Sequence, residues 1–228
     1  MHEVNAGQWY SGVSLAEVLR YAGVRSAEGC GEGIVEEAVS AVNAVGEAAM
    51  PKVISRECPL SLGDGVCVID GTAFVSRSLA AHLKGCEKVL LFAATLGSGV
   101  DLLIGRYSAV RMSYAVLLQG AAAALIELYC DRECERLERD YEKSGYYLRP
   151  RFSPGYGDLS LDCQQKLSDC LSAYKYAGIA VSSGGQMTPM KSVTAFIGLS
   201  RVRKSAGGSC ASGKCRQCPR LDCLFRRT

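Results

Sequence analysis

Strand-like and helix-like segments that cluster along the chain, instead of alternating strictly, predict an α+β fold. Three observations carry that prediction. Asp70-Gly71, a two-residue hairpin signal, separates the apolar runs Val66-Cys67-Val68-Ile69 and Thr72-Ala73-Phe74-Val75. The run Lys88-Val89-Leu90-Leu91-Phe92-Ala93-Ala94-Thr95 is almost continuously apolar, as a buried central strand or a short core helix would be, and its flanks favour strand. Met112 to Glu142 contains the close-packing run Ala121-Ala122-Ala123-Ala124 and alternates charges from Arg132 to Asp140, the pattern of a long helical spine.

The remaining elements follow in chain order. Ser14 with Glu17 three residues on can open a helix in capping-box fashion, and a second helix runs from Gly31 to Met50, ended by Pro51. Lys52 to Val75 changes to short apolar runs separated by Gly and Asp. Ser76 to Gly85 reads as a short helix and Val100 to Ser108 as another. Leu148 to Asp158 is a turn segment, followed by a helix near Leu161 to Ala173 and strand-like Gly178 to Ser182 and Ser192 to Leu199. Gly, Ser and Ala dominate from Lys204 to Gly213, the composition of a flexible linker. The predicted organisation is therefore a domain over residues 1–200 and a linker with a cysteine-rich tail over 201–228.

With 228 residues, 48% hydrophobic and 21% charged, the chain can bury a core of its own. It has no uninterrupted apolar run of the ~18 residues a membrane helix needs, and Met1-His2-Glu3-Val4-Asn5 lacks a signal-peptide layout. These features predict a cytoplasmic protein without membrane partners, whose twelve cysteines are thiols or metal ligands rather than disulfides. The tail carries Arg201, Arg203, Lys204, Lys214, Arg216, Arg220, Arg226 and Arg227 against Asp222 alone, although the whole chain is only +3. Such a charge suits nucleic acid, anionic lipid or an acidic protein. A short knuckle without aromatics has little to stack on bases, so no nucleic-acid role is expected.

Arg151-Phe152-Ser153-Pro154-Gly155-Tyr156-Gly157-Asp158 is the most informative stretch, because Pro154 and Gly155 fit the central places of a type II turn. Such a turn leaves backbone groups available to a ligand. Arg151 upstream offers a planar fork for a carboxylate, and Tyr156 downstream offers a ring face and a hydroxyl. The plain alternative is a surface turn beside a salt-bridged arginine.

Arg151-x-Ser153-Pro154-Gly155-Tyr156 is similar to the Arg-Pro-Ala-Pro-Gly-Tyr signature of the activation (reactivation) domain of cobalamin-dependent methionine synthases. Leu91 to Gly97 with Val100-Asp101, Ser153 to Leu159, and Pro189 to Leu199 resemble short stand-alone relatives of that domain. The likeness spans roughly residues 10 to 200. It implies a C-shaped α+β fold around a twisted antiparallel sheet, with S-adenosylmethionine along a surface groove. Arg151 would hold that ligand, with the backbone near Ser153 and Gly155 and the side chain of Tyr156 beside it. In the family, one electron and the methyl group of S-adenosylmethionine restore methylcobalamin from cob(II)alamin, so the domain positions a methyl donor and supplies no acid or base.

Several positions depart from the family pattern. Phe152 and Ser153 stand where the long enzymes have Pro and Ala, and Ile197 stands near a ligand-facing tyrosine. Glu127, Glu133 and Asp101 are available as the acidic partners that the resemblance implies. The Asp-x-His-x-x-Gly motif of a cobalamin module is approached only by His82 and Gly85, with Ala80 in the aspartate's place, so the corrinoid must arrive on another protein.

Cys210-x4-Cys215-x2-Cys218-x4-Cys223 places four soft ligands in the tail, with no histidine among them. Four thiolates suit either an iron-sulfur cluster or a zinc ion. A cluster could supply the electron that reactivation needs, and the surrounding cations could dock an acidic electron carrier such as flavodoxin or ferredoxin. Cys30, Cys58, Cys67, Cys86, Cys130, Cys134, Cys163 and Cys170 read as structural, and His82 as a half-buried packing residue.

The leading expectation is a reactivation module that binds S-adenosylmethionine, docks on a corrinoid-binding methyltransferase of the methionine synthase type, and is no complete enzyme alone. The rival is a metal-binding interaction module that has lost S-adenosylmethionine binding, a reading that rests on Ile197.

Overall fold

A computed structural model describes residues 7–24 and 32–203. The four tail cysteines Cys210, Cys215, Cys218 and Cys223 lie outside the described residues, as does most of the basic tail.

Ser14 caps helix α1 (Leu15–Tyr21), its hydroxyl accepting from the Glu17 amide at 3.4 Å. Helix α2 (Glu32–Ala48) leads into strand β1 (Lys52–Leu62), and strands β2 (Val66–Ile69) and β3 (Thr72–Val75) form the hairpin. Asp70 and Gly71 both have positive φ, at 48° and 78°, the backbone a two-residue turn of this hand requires. Short helix α3 (Arg77–His82) precedes strand β4 (Lys88–Thr95), and helices α4 (Ser98–Val110) and α5 (Met112–Glu142) follow. Strand β5 (Tyr147–Leu148), a 3-10 turn at Leu161–Cys163, and helices α6 (Gln164–Leu171) and α7 (Ala173–Ala177) come next. The chain then forms a ribbon of β6 (Ala180–Val181) and β7 (Met187–Thr188) and ends in strand β8 (Ser192–Ser200).

Six strands make one sheet in the order β3-β2-β1-β4-β8-β5, every pairing antiparallel. This confirms the α+β class. Strand β4 pairs along its whole length with β1 on one side and β8 on the other. Its apolar run is continuous because both faces are covered. Leu90, Phe92 and Ala94 meet α1, α2, α4 and α5, whereas Val89, Leu91 and Ala93 meet α3, α6 and α7. Strand β8 alternates in the same way, Ile197 and Leu199 to the first layer and Phe196 to the second.

Helix α5 is long and apolar enough by length and composition to cross a bilayer, but 61% of its apolar window is buried inside the domain, where it serves as the core helix. Gly120 lets it approach α1 so closely that a Cβ there would lie 2.5 Å from the Val18 carbonyl oxygen.

Two expected elements differ. Of the short runs expected over Lys52 to Val75, Val66–Ile69 and Thr72–Val75 are the short strands β2 and β3, but Lys52–Leu62 is one eleven-residue strand, β1, whose polar Arg56-Glu57 and Pro59 hide its length in the sequence. The single helix expected over Leu161 to Ala173 is broken, because Ser172 takes a left-handed conformation (φ 50°) between α6 and α7.

Candidate functional site

The edge of the sheet beyond β8 is where the singled-out motif lies. Strand β5 pairs in regular antiparallel register, Tyr147 with Ser200 and Leu148 with Leu199, and the Arg149 amide continues it by donating to the Gly198 carbonyl at 2.8 Å. The next exchange is between Phe152 and Phe196, whose amides and carbonyls pair at 2.9 and 2.8 Å. Two steps on β8 therefore face three on the edge, so Pro150 and Arg151 form a one-residue β-bulge opposite Ile197. Proline fits there, having no N–H to give to the ladder.

A bulge re-aims the side chain it carries. Without it Arg151 would stand opposite Phe196; instead its guanidinium reaches α5, pairing with Glu127 at 2.7 Å and Asp131 at 3.0 Å and donating to the Cys134 sulfur at 3.8 Å. The side chain is only 16% exposed. Burial opposes its charge, but the surrounding groups, with the Glu127 and Asp131 carboxylates as its charged partners, outweigh burial and hold the guanidinium above its ordinary pKa. Burial pushes the thiols of Cys130 and Cys134 up, so neither is a thiolate at neutral pH.

Between α5 and the bulged edge lies a recess of about 220 Å³. Cys134, Glu135 and Glu138 form its helical wall, and Leu148, Arg149, Pro150 and Arg151 its edge wall. Ile197 also lines it and is otherwise buried in the core at 1% exposure.

Downstream, Ser153 to Tyr156 is a type II turn: Gly155 has φ 88°, and the Tyr156 amide donates to the Ser153 carbonyl at 3.0 Å. The Gly155 amide donates to Leu159 at 2.8 Å. These two amides are thus engaged within the loop, contrary to the expectation that the turn leaves them to a ligand. The Tyr156 ring is half exposed, with its edge against Phe152 at 5.9 Å between centroids.

The loop is anchored at its far end by Asp158. Its carboxylate accepts from the Ser76 hydroxyl at 2.5 Å and from the amides of Arg77 and Ser78 at 2.9 and 3.0 Å, which caps α3. Those bonds, that of Ser76 first, hold its pKa well below the usual carboxylate range. Gly157 permits the approach, since a Cβ there would fall 2.5 Å from the Ser78 oxygen. His82, on the same helix, shares a 2.8 Å hydrogen bond with the Pro150 carbonyl and lies over Phe152, as a packing residue would.

Arg151, Ser153, Gly155 and Tyr156 thus lie along one edge segment, with Arg151 turned to α5 and Tyr156 outward. Of the three acids named from sequence, Glu127 joins Arg151, Glu133 pairs with Arg136, and Asp101 accepts from the Met190 amide beyond α4. Sequence reasoning missed Asp131, Glu135 and Glu138. Their spacing on α5 was readable, but the bulge that brings Arg151 to them was not. Among the described residues no group of three or more His, Cys, Asp or Glu is placed to hold a metal ion. Among the described residues the site brings together a guanidinium, the carboxylates of α5 and an exposed tyrosine ring.

No family model matches the chain. No curated protein matches it either. Its fold is similar to that in the crystal structure of the MetH reactivation domain bound to AdoHcy, with a TM-score of 0.54 and 15% sequence identity over 76% of this chain. The match covers 64% of that chain, less than two thirds of its length.

Proposed function

We propose that this chain is an S-adenosylmethionine-binding reactivation module, which presents the methyl donor to a corrinoid carried by a methyltransferase of the methionine synthase type and so supports reductive methylation of cob(II)alamin. The observation that carries the reading is the likeness of fold to a reactivation domain that binds AdoHcy, combined with the Arg151 to Tyr156 segment on an open sheet edge. The recess of about 220 Å³ is smaller than the ~300 Å³ at which enclosed ligand pockets begin, so the ligand lies along the surface. Tyr156 offers its ring, and Glu135 and Glu138 offer acceptors for amino or hydroxyl groups. Arg151 takes the ligand's carboxylate by exchanging it for Glu127 or Asp131.

The chain is organised, on this reading, as a domain over residues 1–200 and a tail over 201–228. Cys210, Cys215, Cys218 and Cys223 would hold an iron-sulfur cluster or zinc. A cluster would supply the electron, received from an acidic carrier such as flavodoxin or ferredoxin. The compartment is the cytoplasm.

A second reading is favoured by the same ion pairs: Arg151 is already neutralised by two carboxylates, and Ile197 supplies no ring at the recess. Under it the chain is a metal-binding interaction module without S-adenosylmethionine affinity.

Calorimetry of the anaerobically purified full chain with S-adenosylmethionine separates the two, together with its metal content and visible spectrum. Saturable binding that weakens at least about tenfold in a folded Arg151→Ala variant, a loss of roughly 1.4 kcal/mol, supports the first reading. Absence of binding at millimolar ligand overturns it.

A further inference from the structure

The chain leaves the domain beside the recess. Arg203, the last described residue, pairs with Glu142 at 2.6 Å and lies 5.2 Å from the Tyr147 ring centroid, while Arg201 stacks on Tyr146 at 3.7 Å. These contacts pin the exit where the end of α5 meets β5. Glu142 is the last of five acids spaced three or four residues apart on one face of α5, after Glu127, Asp131, Glu135 and Glu138. Glu127 and Asp131 pair with Arg151, and Glu142 with Arg203. Glu135 and Glu138, which line the recess, have no ion-pair partner among the described residues. Arg149 on the facing wall gives its Nη2 to the Ser200 hydroxyl at 3.3 Å. The recess is thus a groove with Leu148, Pro150 and Ile197 as apolar lining and two carboxylates that no cation of the domain neutralises.

The segment that follows Arg203 has the complementary chemistry. Residues 204–228, outside the described residues, carry Lys204, Lys214, Arg216, Arg220, Arg226 and Arg227 against Asp222 alone, with Leu221, Leu224 and Phe225 among them. Distance permits the contact. Glu138 and Glu135 lie about 6 and 10 Å from Glu142 along α5, at 1.5 Å of rise per residue. Eleven residues separate Lys214 from the pinned Arg203, and a chain of this Gly, Ser and Ala composition has an r.m.s. reach of ~18 Å over that length. A tether that matches its span in this way holds the attached group at roughly millimolar effective concentration, enough to fill a site whose individual ion pairs are weak.

We infer that residues 214–227 of this same chain dock in the recess, their cations on Glu135 and Glu138 and their apolar side chains against Leu148, Pro150 and Ile197. So docked, the segment shuts the recess, and a ligand or partner that uses this face has to displace it. The docking stands whether or not the chain binds S-adenosylmethionine, and its test contains none, so either can fail without the other.

The test measures initial rates of tryptic cleavage after Arg216 and Arg220 by peptide mass spectrometry, on the full chain as purified and without added ligand. In the double variant Glu135→Gln/Glu138→Gln, cleavage should be about fivefold faster at equal metal content, the factor that two exposed ion pairs together supply. Asp140→Asn, on the same helix but paired with Lys143 away from the recess, should leave the rate unchanged. The difference between native chain and double variant should shrink at ~1 M salt, where charges are screened beyond about 3 Å. Equal rates in native chain and double variant overturn the inference and leave the tail's charge to an outside partner. A difference that salt does not reduce overturns it as well. So does protection that rises with protein concentration, which would place the segment on a second copy.

Discussion

Phe152, not Arg151, pairs with Phe196 on β8, and that one-residue slip turns the Arg151 guanidinium onto the carboxylates of α5. The two acids share one cation, so their contributions are coupled. Glu127→Gln alone should cost about 0.5–1 kcal/mol, because Asp131 remains at 3.0 Å and Glu127 is 45% exposed. Removing both, with Asp131→Asn added, leaves a largely buried guanidinium unpaired and should cost about 3 kcal/mol, more than the sum of the two single changes. Urea denaturation of the four members of the cycle measures this, and strict additivity would show that Arg151 is solvated without its partners.

Asp158 fixes the pH dependence of the loop. Its carboxylate is held below its ordinary pKa by the Ser76 hydroxyl and the amides of Ser78 and Arg77. In the unfolded chain it protonates near pH ~4, whereas in the folded state it stays ionised to lower pH. In that window the unfolded state binds more protons, so the contribution is full above about pH 4 and disappears as pH falls through the folded pKa. Melting temperature followed from pH 6 to pH 2.5 should therefore fall less steeply in Asp158→Asn than in the native chain. Parallel curves would mean that the cap does not depend on the charge.

Local signals were legible in the sequence and long-range ones were not. The Ser14 cap, the Asp70-Gly71 turn, the apolar run of β4 and the bounds of α5 each follow from residues a few places apart, and the structure keeps them. The length of β1 was hidden because its register is set backbone to backbone by β4, which tolerates Arg56 and Glu57 at exposed places. The type II turn could be read from Pro154 and Gly155, but the path that brings the Leu159 carbonyl back to the Gly155 amide is set by the Asp158 anchor on α3, some eighty residues away. The bulge was hidden because it exists only in relation to Gly198 and Phe196, more than forty residues away.

Gln164 and Thr194 form a buried polar contact in the layer of α6, their side chains 2.5 Å apart and their exposures 3% and 2%. Thr194→Val keeps the shape and removes the acceptor, leaving the Gln164 amide group only the Met187 sulfur at 3.3 Å. An unsatisfied buried donor costs about 1–3 kcal/mol, and that loss should appear in denaturant unfolding. Replacing both residues, with Gln164→Leu added, should recover part of it. A double variant less stable than Thr194→Val alone would argue against this account.

Gly120 sets helix propensity against packing. In an isolated helix Gly→Ala gains about 1 kcal/mol, and α5 is otherwise rich in alanine at this level. Here the added Cβ would stand 2.5 Å from the Val18 carbonyl oxygen and 2.9 Å from the Ala22 amide nitrogen. Both are backbone atoms, which cannot swing aside as a side-chain tip can. Relief requires α1 to move off α5, opening the contact in which Val18 and Leu19 are buried. Overpacking of this kind costs about 1–3 kcal/mol, so the net effect of Gly120→Ala should be destabilising despite the better helix former. Thermal unfolding with hydrogen exchange locates the effect: amides of α1 should lose protection first, and a stabilised variant with α1 still protected would show that the crossing has slack.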